Sequence, residues 1–260
     1  MEFENQVVLV TGGGSGIGEA AALRFAREGA RVLICGRTRE KLEHTVSQAR
    51  DLPGEMVPVA ADVGEPKDVM VLYEEIEKRW GRLDFVFAHA GVNGVWARVE
   101  DLSPEEWNKT LRINLTGSFL TAKYAVPLLK RRGGSILITS SINGTTKFSD
   151  LGSTAYSASK AAQIAVMKLL ALELAEHGIR VNAICPGSIA TSVEDQMEMR
   201  NTQATNEVAV YPKGGIPLTG GDPGSSEQVV ELVVFLASKR ASHITGATVR
   251  IDGGQSLVQG

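Results

Sequence analysis

Two cysteines, Cys35 and Cys185, are all that the 260 residues contain, and both fall in apolar runs, which excludes a disulfide framework and predicts free, buried thiols. No apolar run approaches the ~20 residues that span a bilayer, so a membrane partner is not expected. Basic residues are not in excess: 27 Lys and Arg against 30 Asp and Glu leave a formal charge of −3, too little positive charge to hold a nucleic acid. Aromatic residues make up 5% and histidines number four, with no His, Cys or carboxylate cluster at metal-ligand spacing, so no metal is expected. The opening MEFENQVVLV carries acids and runs directly into a strand pattern, unlike a signal peptide, which predicts a cytoplasmic protein.

What is present is a regular alternation. Short apolar runs at 7–11, 31–36, 57–60, 83–88, 135–140, 179–185 and 247–251 read as strands. Between them, 17–28, 39–50, 66–79, 104–130, 154–176 and 226–237 have helical periodicity, several opening with Ser, Thr or Pro at the cap. Runs such as VVLV, FVFA and ILIT lack polar alternation, as strands covered on both faces do. The expected fold class is therefore α/β: one doubly wound Rossmann-type domain over 1–260, with a central parallel sheet of about seven strands flanked by helices on both faces. One stretch breaks the rhythm, 188–224, ending in PKGGIPLTGGDPGSS; it reads as a substrate lid, with a surface excursion as the other account.

The first strand leads into TGGGSGIGEAAALRF. Gly12 suits the tight turn, Gly16 lets backbone approach a pyrophosphate, and Gly18 allows helix and strand to pack closely, while the helix N-terminus offers free N–H groups to phosphate. At the end of the second strand an acid would select the 2′-hydroxyl of NAD(H); here Gly36 stands in that place and Arg37 follows, with Arg39 and Lys41 nearby, which favours NADP(H) and leaves NAD(H) open. Tyr156 and Lys160 lie four apart in a helical segment and so share a face, where an ammonium can tune a phenol as acid and base. Ser140 and Ser141 end the fifth buried strand, at the rim where such sheets place their ligands.

Taken together, TGGGSGIG, the strand-end serines and YSASK resemble the TGxxxGIG and YxxxK motifs of the short-chain dehydrogenase/reductase family, and the resemblance extends over about residues 5–255. It implies Ser141 as the catalytic serine, with Ser140 as the alternative, although serine precedes tyrosine by fifteen positions and not the usual thirteen. It implies a fourth catalytic residue, Asn114, holding a water that relays protons to Lys160; a helix kink with a satisfied amide is the other account. Cofactor contacts are implied for Gly12, Ser15, Gly16, Ile17, Gly18 and Arg37 at the glycine turn, for Asp62 and Val63 at the adenine, and for Ala90 and Gly91 along the adenosine. Tyr156, Lys160, Pro186, Gly187, Ile189 and Thr191 would meet the nicotinamide end. Asp62 could equally be a helix cap, and Ser15 replaces a basic residue common in NADP-dependent relatives. His89 departs from the family's Asn-Asn-Ala-Gly and reads as a structural histidine.

The implied activity is interconversion of a carbonyl and an alcohol by hydride transfer, with Tyr156 as general acid/base and a small carbonyl or alcohol as partner. Trp96, Asn143 and Phe148 are expected in the substrate wall, whose polar and aromatic mix suits a sugar, a polyol or a 3-oxoacyl thioester. Two other readings stand beside it: an NAD-dependent sugar or polyol dehydrogenase, like those acting on glucose, and a non-catalytic dinucleotide sensor. A homotetramer joined through the long helices is implied by the resemblance.

Overall fold

The glycine turn, the strand-end serines and the Tyr-Lys helix are far apart in sequence, and a single sheet brings them to one edge. In the computed structural model, which describes residues 1–191, 198–200, 202 and 214–259, seven parallel strands run in the order β3-β2-β1-β4-β6-β7-β9. They are β1 Val7–Thr11, β2 Arg31–Gly36, β3 Glu55–Ala60, β4 Phe85–Ala88, β6 Gly134–Thr139, β7 Ile179–Pro186 and β9 Thr248–Ile251. Pairing is in register from Val7↔Arg31 to Thr11↔Cys35 and from Val8↔Phe85 to Thr11↔Ala88, so β1 lies inside the sheet between β2 and β4. Strand order reverses between β1 and β4, which opens a crevice at their carboxyl ends.

Both faces are covered, and that is why the strands are uniformly apolar. On one face α1 Gly16–Arg27, α2 Arg39–Gln48 and α7 Ser226–Ala237 bury Phe25, Leu42 and Val233 against Val8, Val10 and Phe87. On the other, α3 Pro66–Trp80, α5 Gly117–Leu129 and α6 Thr154–Leu174 bury Leu72, Leu120 and Met167 against Leu9, Val86 and Ile136. Capping boxes start two of the helices: Ser103 with Glu106 for α4 Pro104–Leu111, and Ser225 with Gln228 for α7.

Two departures from the sequence expectation matter for the site. The helix expected over 104–130 is broken: α4 and α5 are separated by a π-helical turn, Arg112–Thr116, that contains Asn114. A second, two-stranded sheet was not anticipated; β5 Val95–Ala97 pairs in parallel with β8 Glu198–Arg200, setting Trp96 beside Met199. Arg200 anchors this piece through Glu106 (2.8 Å) and the Asp101 carbonyl (3.2 Å). Much of the expected lid, residues 192–197, 201 and 203–213, lies outside the described residues. A short α8, Gln255–Val258, follows the last strand.

Candidate active site

The carboxyl ends of β1, β4, β6 and β7 frame one crevice with two lobes of about 480 Å³ each, which share Gly12, Ser15 and the 90–93 strip. At the turn after β1, Gly12 and Gly16 have φ of 76° and 54°, a backbone that other residues adopt only under strain. A Cβ on Gly18 would lie 2.1 Å from the Gly12 carbonyl oxygen, so helix α1 touches the turn backbone to backbone. Ser15 makes no side-chain cap, which leaves the first N–H groups of α1 open toward the crevice. A cradle of this kind fits a pyrophosphate: the positive end of a helix, and a turn that a Cβ would fill. Thr11 fixes its far side, its hydroxyl accepting from the His89 and Ala90 N–H groups at 3.0 and 3.1 Å.

One lobe is lined by Arg37, Thr38, Lys41, Asp62 and Val63. Arg37 is exposed and makes no hydrogen bond or ion pair with a described residue, while Arg39 turns away to Glu43 at 2.8 Å. Asp62 is no helix cap: its carboxylate accepts from the Gly64 N–H at 2.9 Å and from Arg112 at 3.0 Å. Burial alone would raise its pKa, but Gly64, Arg112 and Arg37 together hold it below the usual carboxylate range. Arg112, which braces this acid from the π-helical turn, was not picked out in the sequence.

The other lobe holds the strand-end and helix residues: Ser141, Tyr156, Lys160, Pro186, Gly187, Ile189 and Thr191 all line it. The two serines bond differently. Ser140 donates to the Lys160 carbonyl at 2.8 Å and is committed to α6, whereas Ser141 lies against the phenol of Tyr156. Lys160 is buried, donates to the Thr139 carbonyl at 2.9 Å, and places its Nζ 5.5 Å from the centre of the Tyr156 ring. Burial pushes its ammonium down to about 8, so it still carries charge at neutral pH. Burial likewise pushes the phenol above its ordinary value; Ser141 opposes this by hydrogen bonding, and Cys185 and Asp150 add smaller upward pushes. In the chain alone, burial is thus the largest influence on the phenol.

Asn114 is fully buried and both ends of its amide bond to the protein. Its Nδ2 donates to the Val92 carbonyl (2.9 Å) and to Ser159 (3.0 Å), and its Oδ1 accepts from the Val92 N–H at 2.8 Å. Its main-chain carbonyl accepts from Ser118 (2.7 Å) and Gln163 (2.8 Å), so both lone pairs are used. These direct bonds hold the 91–92 strip beside Lys160. The kink and the satisfied amide are both present.

His89 is a structural group. Burial and the neighbouring Lys160 push its pKa down to about 3, its ring stacks on Phe87 at 5.1 Å, and Nδ1 meets the Thr139 hydroxyl at 3.1 Å. Of the three residues expected in the substrate wall, Trp96 and Asn143 line the lobe, with the Trp96 and Tyr156 rings 6.3 Å apart. Phe148 does not: it is 73% exposed, because Lys147 and Asp150 on either side of it take the inward positions. Lys147, Asp150 and Gln255 were missed. Gln255 accepts from the Ser188 N–H at 2.8 Å and packs where a Cβ on Gly187 would fall, 2.6 Å from its Oε1.

Comparison with known proteins agrees with this geometry. A family profile described as Enoyl-(Acyl carrier protein) reductase matches residues 12–256. The 3-oxoacyl-[acyl-carrier-protein] reductase FabG of Thermotoga maritima is 36% identical over 98% of this chain and 99% of its own length. Glucose 1-dehydrogenase of Gluconobacter oxydans is 35% identical over 98% of this chain and 93% of its own. The crystal structure of a 3-ketoacyl-ACP reductase from Sinorhizobium meliloti superposes with a TM-score of 0.92 at 48% identity, covering 96% of this chain and 99% of that one.

Proposed function

The chain belongs to the short-chain dehydrogenase/reductase family, and on that premise we propose that it interconverts a carbonyl and an alcohol with NADP(H) as the favoured nucleotide and Tyr156 as general acid/base. One observation carries the reading: Ser141, Tyr156 and Lys160 face one lobe of a crevice whose floor is the glycine turn. A nicotinamide bound there supplies the hydride for the carbonyl carbon. The phenol of Tyr156 gives its proton to the carbonyl oxygen, and the Ser141 hydroxyl donates a hydrogen bond to the same atom. Lys160 spends one N–H on Thr139; the remaining ones would hold ribose hydroxyls of a bound nucleotide, and its charge would steady the phenolate that forms. Because burial keeps the phenol above its ordinary pKa, it stays protonated at neutral pH, which suits the reductive direction. Asn114 is a positioning residue: it fixes the 91–92 strip against which Lys160 lies.

Arg37 and the Thr38 hydroxyl just after β2, with Lys41 in the first turn of α2, support the 2′-phosphate reading, and Lys41 supplies a second cation where Ser15 supplies none. Exposed Phe119 on α5 with Leu169 and Leu172 on α6 give the homotetramer its contact face, and two buried, unbridged thiols suit the cytoplasm. A dinucleotide sensor would have no use for a phenol set between a serine and a buried ammonium. Tyr156→Phe tests the proposal: nucleotide titration stays within about twofold while kcat falls by about 10³ on any carbonyl the parent reduces. Substantial turnover in that variant removes Tyr156 from the chemistry.

A further inference from the structure

The loop between β6 and α6, two residues longer than the family's usual spacing, carries an ion pair between buried Lys147 and half-buried Asp150 that the reaction above does not use. Lys147 Nζ donates to Asp150 Oδ1 at 2.7 Å, and Asn143 Nδ2 donates to Asp150 Oδ2 at 2.8 Å. All three side chains line the lobe that holds Tyr156, and Lys147 keeps only 8% of its surface exposed. A half-buried pair of this kind contributes little to stability, since desolvation and solvent screening offset its attraction, so its place in a cavity wall needs another reason.

We propose that the Lys147–Asp150 pair, with Asn143, is the specificity element of this site and selects a neutral substrate carrying a second hydroxyl beside the carbon that reacts. This deepens the proposed function and rests on it. Lys147 uses one of its three N–H donors on the protein, and Asn143 Oδ1 has no partner among the described residues. The wall thus presents donors and an acceptor together, with formal charges that cancel. A hydroxyl answers both, accepting from the ammonium and donating to the amide or carboxylate oxygen. An anion would sit against Asp150, and an alkyl or acyl chain would leave the ammonium unpaired. Asn143 donates its main-chain N–H to Ser141 Oγ at 3.1 Å, and Ser141 is the hydroxyl assigned to the reacting oxygen, so the hydroxyl recognised by this wall neighbours the reacting one.

The loop is also held rigid before any substrate arrives. The Lys147 N–H donates to the Ile142 carbonyl at 2.9 Å, Ser153 Oγ to the Asp150 carbonyl at 2.7 Å, and Ser149 Oγ to the Gln259 carbonyl at 2.7 Å. Gly144 lies so close to α6 that a Cβ would fall 2.1 Å from the Ser157 carbonyl oxygen. Such preorganisation makes the pair a selective contact and not an adaptable one.

The test compares kcat/KM for butane-2,3-diol, butan-2-ol and 3-hydroxybutanoate, followed by nicotinamide absorbance. The diol should exceed the mono-alcohol by at least about tenfold, with the anion no better than butan-2-ol. In Lys147→Met/Asp150→Leu the diol preference should fall to about one. Asp150→Asn keeps the loop's shape and leaves Lys147 uncompensated, so it should move preference toward 3-hydroxybutanoate. Equal use of butan-2-ol by the parent, a parental preference for the anion, or a ratio unmoved in both variants overturns the inference. If the parent neither oxidises these alcohols nor reduces the matching ketones, the proposed function fails instead. Calorimetric titration of the diol and the mono-alcohol, with and without nucleotide, then decides the pocket's chemistry alone: diol binding weakened in Asp150→Asn supports the inference, and equal binding of the two overturns it.

Discussion

Lys160 should be a residue the fold would be more stable without. Its ammonium is buried, and the surroundings pull its pKa from 10.5 to about 8. At about 1.4 kcal/mol per pH unit, the charged side chain costs the folded state about 3 kcal/mol at neutral pH. Lys160→Met removes that cost and also removes the hydrogen bond to the Thr139 carbonyl, which contributes about 1 kcal/mol. The net expectation is a gain of about 2 kcal/mol, or about 5 °C in Tm for a chain of this size, together with loss of turnover. The sign with pH is fixed by proton binding. Below about pH 8 lysine is protonated in both states and the full penalty applies; between about 8 and 10.5 the unfolded chain holds a proton that the folded chain has released, so the parent gains stability as pH rises. Urea unfolding of nucleotide-free protein at pH 7 and about pH 9.5 measures this, and the advantage of the variant should nearly vanish at the higher pH. A variant less stable than the parent at pH 7, or an advantage that does not change with pH, refutes the assignment of Lys160 as a strained, charged group.

Two further outcomes follow from the cradle. Arg37→Ala should raise KM for NADPH by about tenfold to a hundredfold and leave NADH within about twofold, and the NADPH preference of the parent should weaken in high salt; equal affinity of the parent for the two nucleotides defeats the 2′-phosphate argument. Gly18→Ala forces a methyl against the Gly12 carbonyl oxygen, 2.1 Å from where its Cβ would stand. It should cost about 3 kcal/mol in urea unfolding and abolish nucleotide binding, and a stable, nucleotide-binding variant shows that the turn can shift.

How far the sequence could be read depended on whether a physical period governed the segment. The seven central strands were legible because burial on both faces leaves an uninterrupted apolar run, and the helices because one face must stay apolar. The π-helical turn was not, since RINLT keeps the apolar spacing of an ordinary helix and only the bonds of Asn114 to Val92 reveal the extra residue. Three-residue β5 is too short for any period to declare itself. In the loop after β6 the sequence shows polar and aromatic residues but no rule for which faces inward; that was decided by the ion pair between Lys147 and Asp150, which leaves Phe148 outside. The same reasoning separates the parts of the site. The cradle and the Tyr-Lys pair were legible because phosphate and phenol chemistry demand fixed residue types at fixed spacing, imposed by a turn and a helix. A substrate wall carries no such demand, so its chemistry has to be read from which polar atoms the fold leaves unpaired, and here those atoms are the spare ammonium hydrogens of Lys147 and the amide oxygen of Asn143.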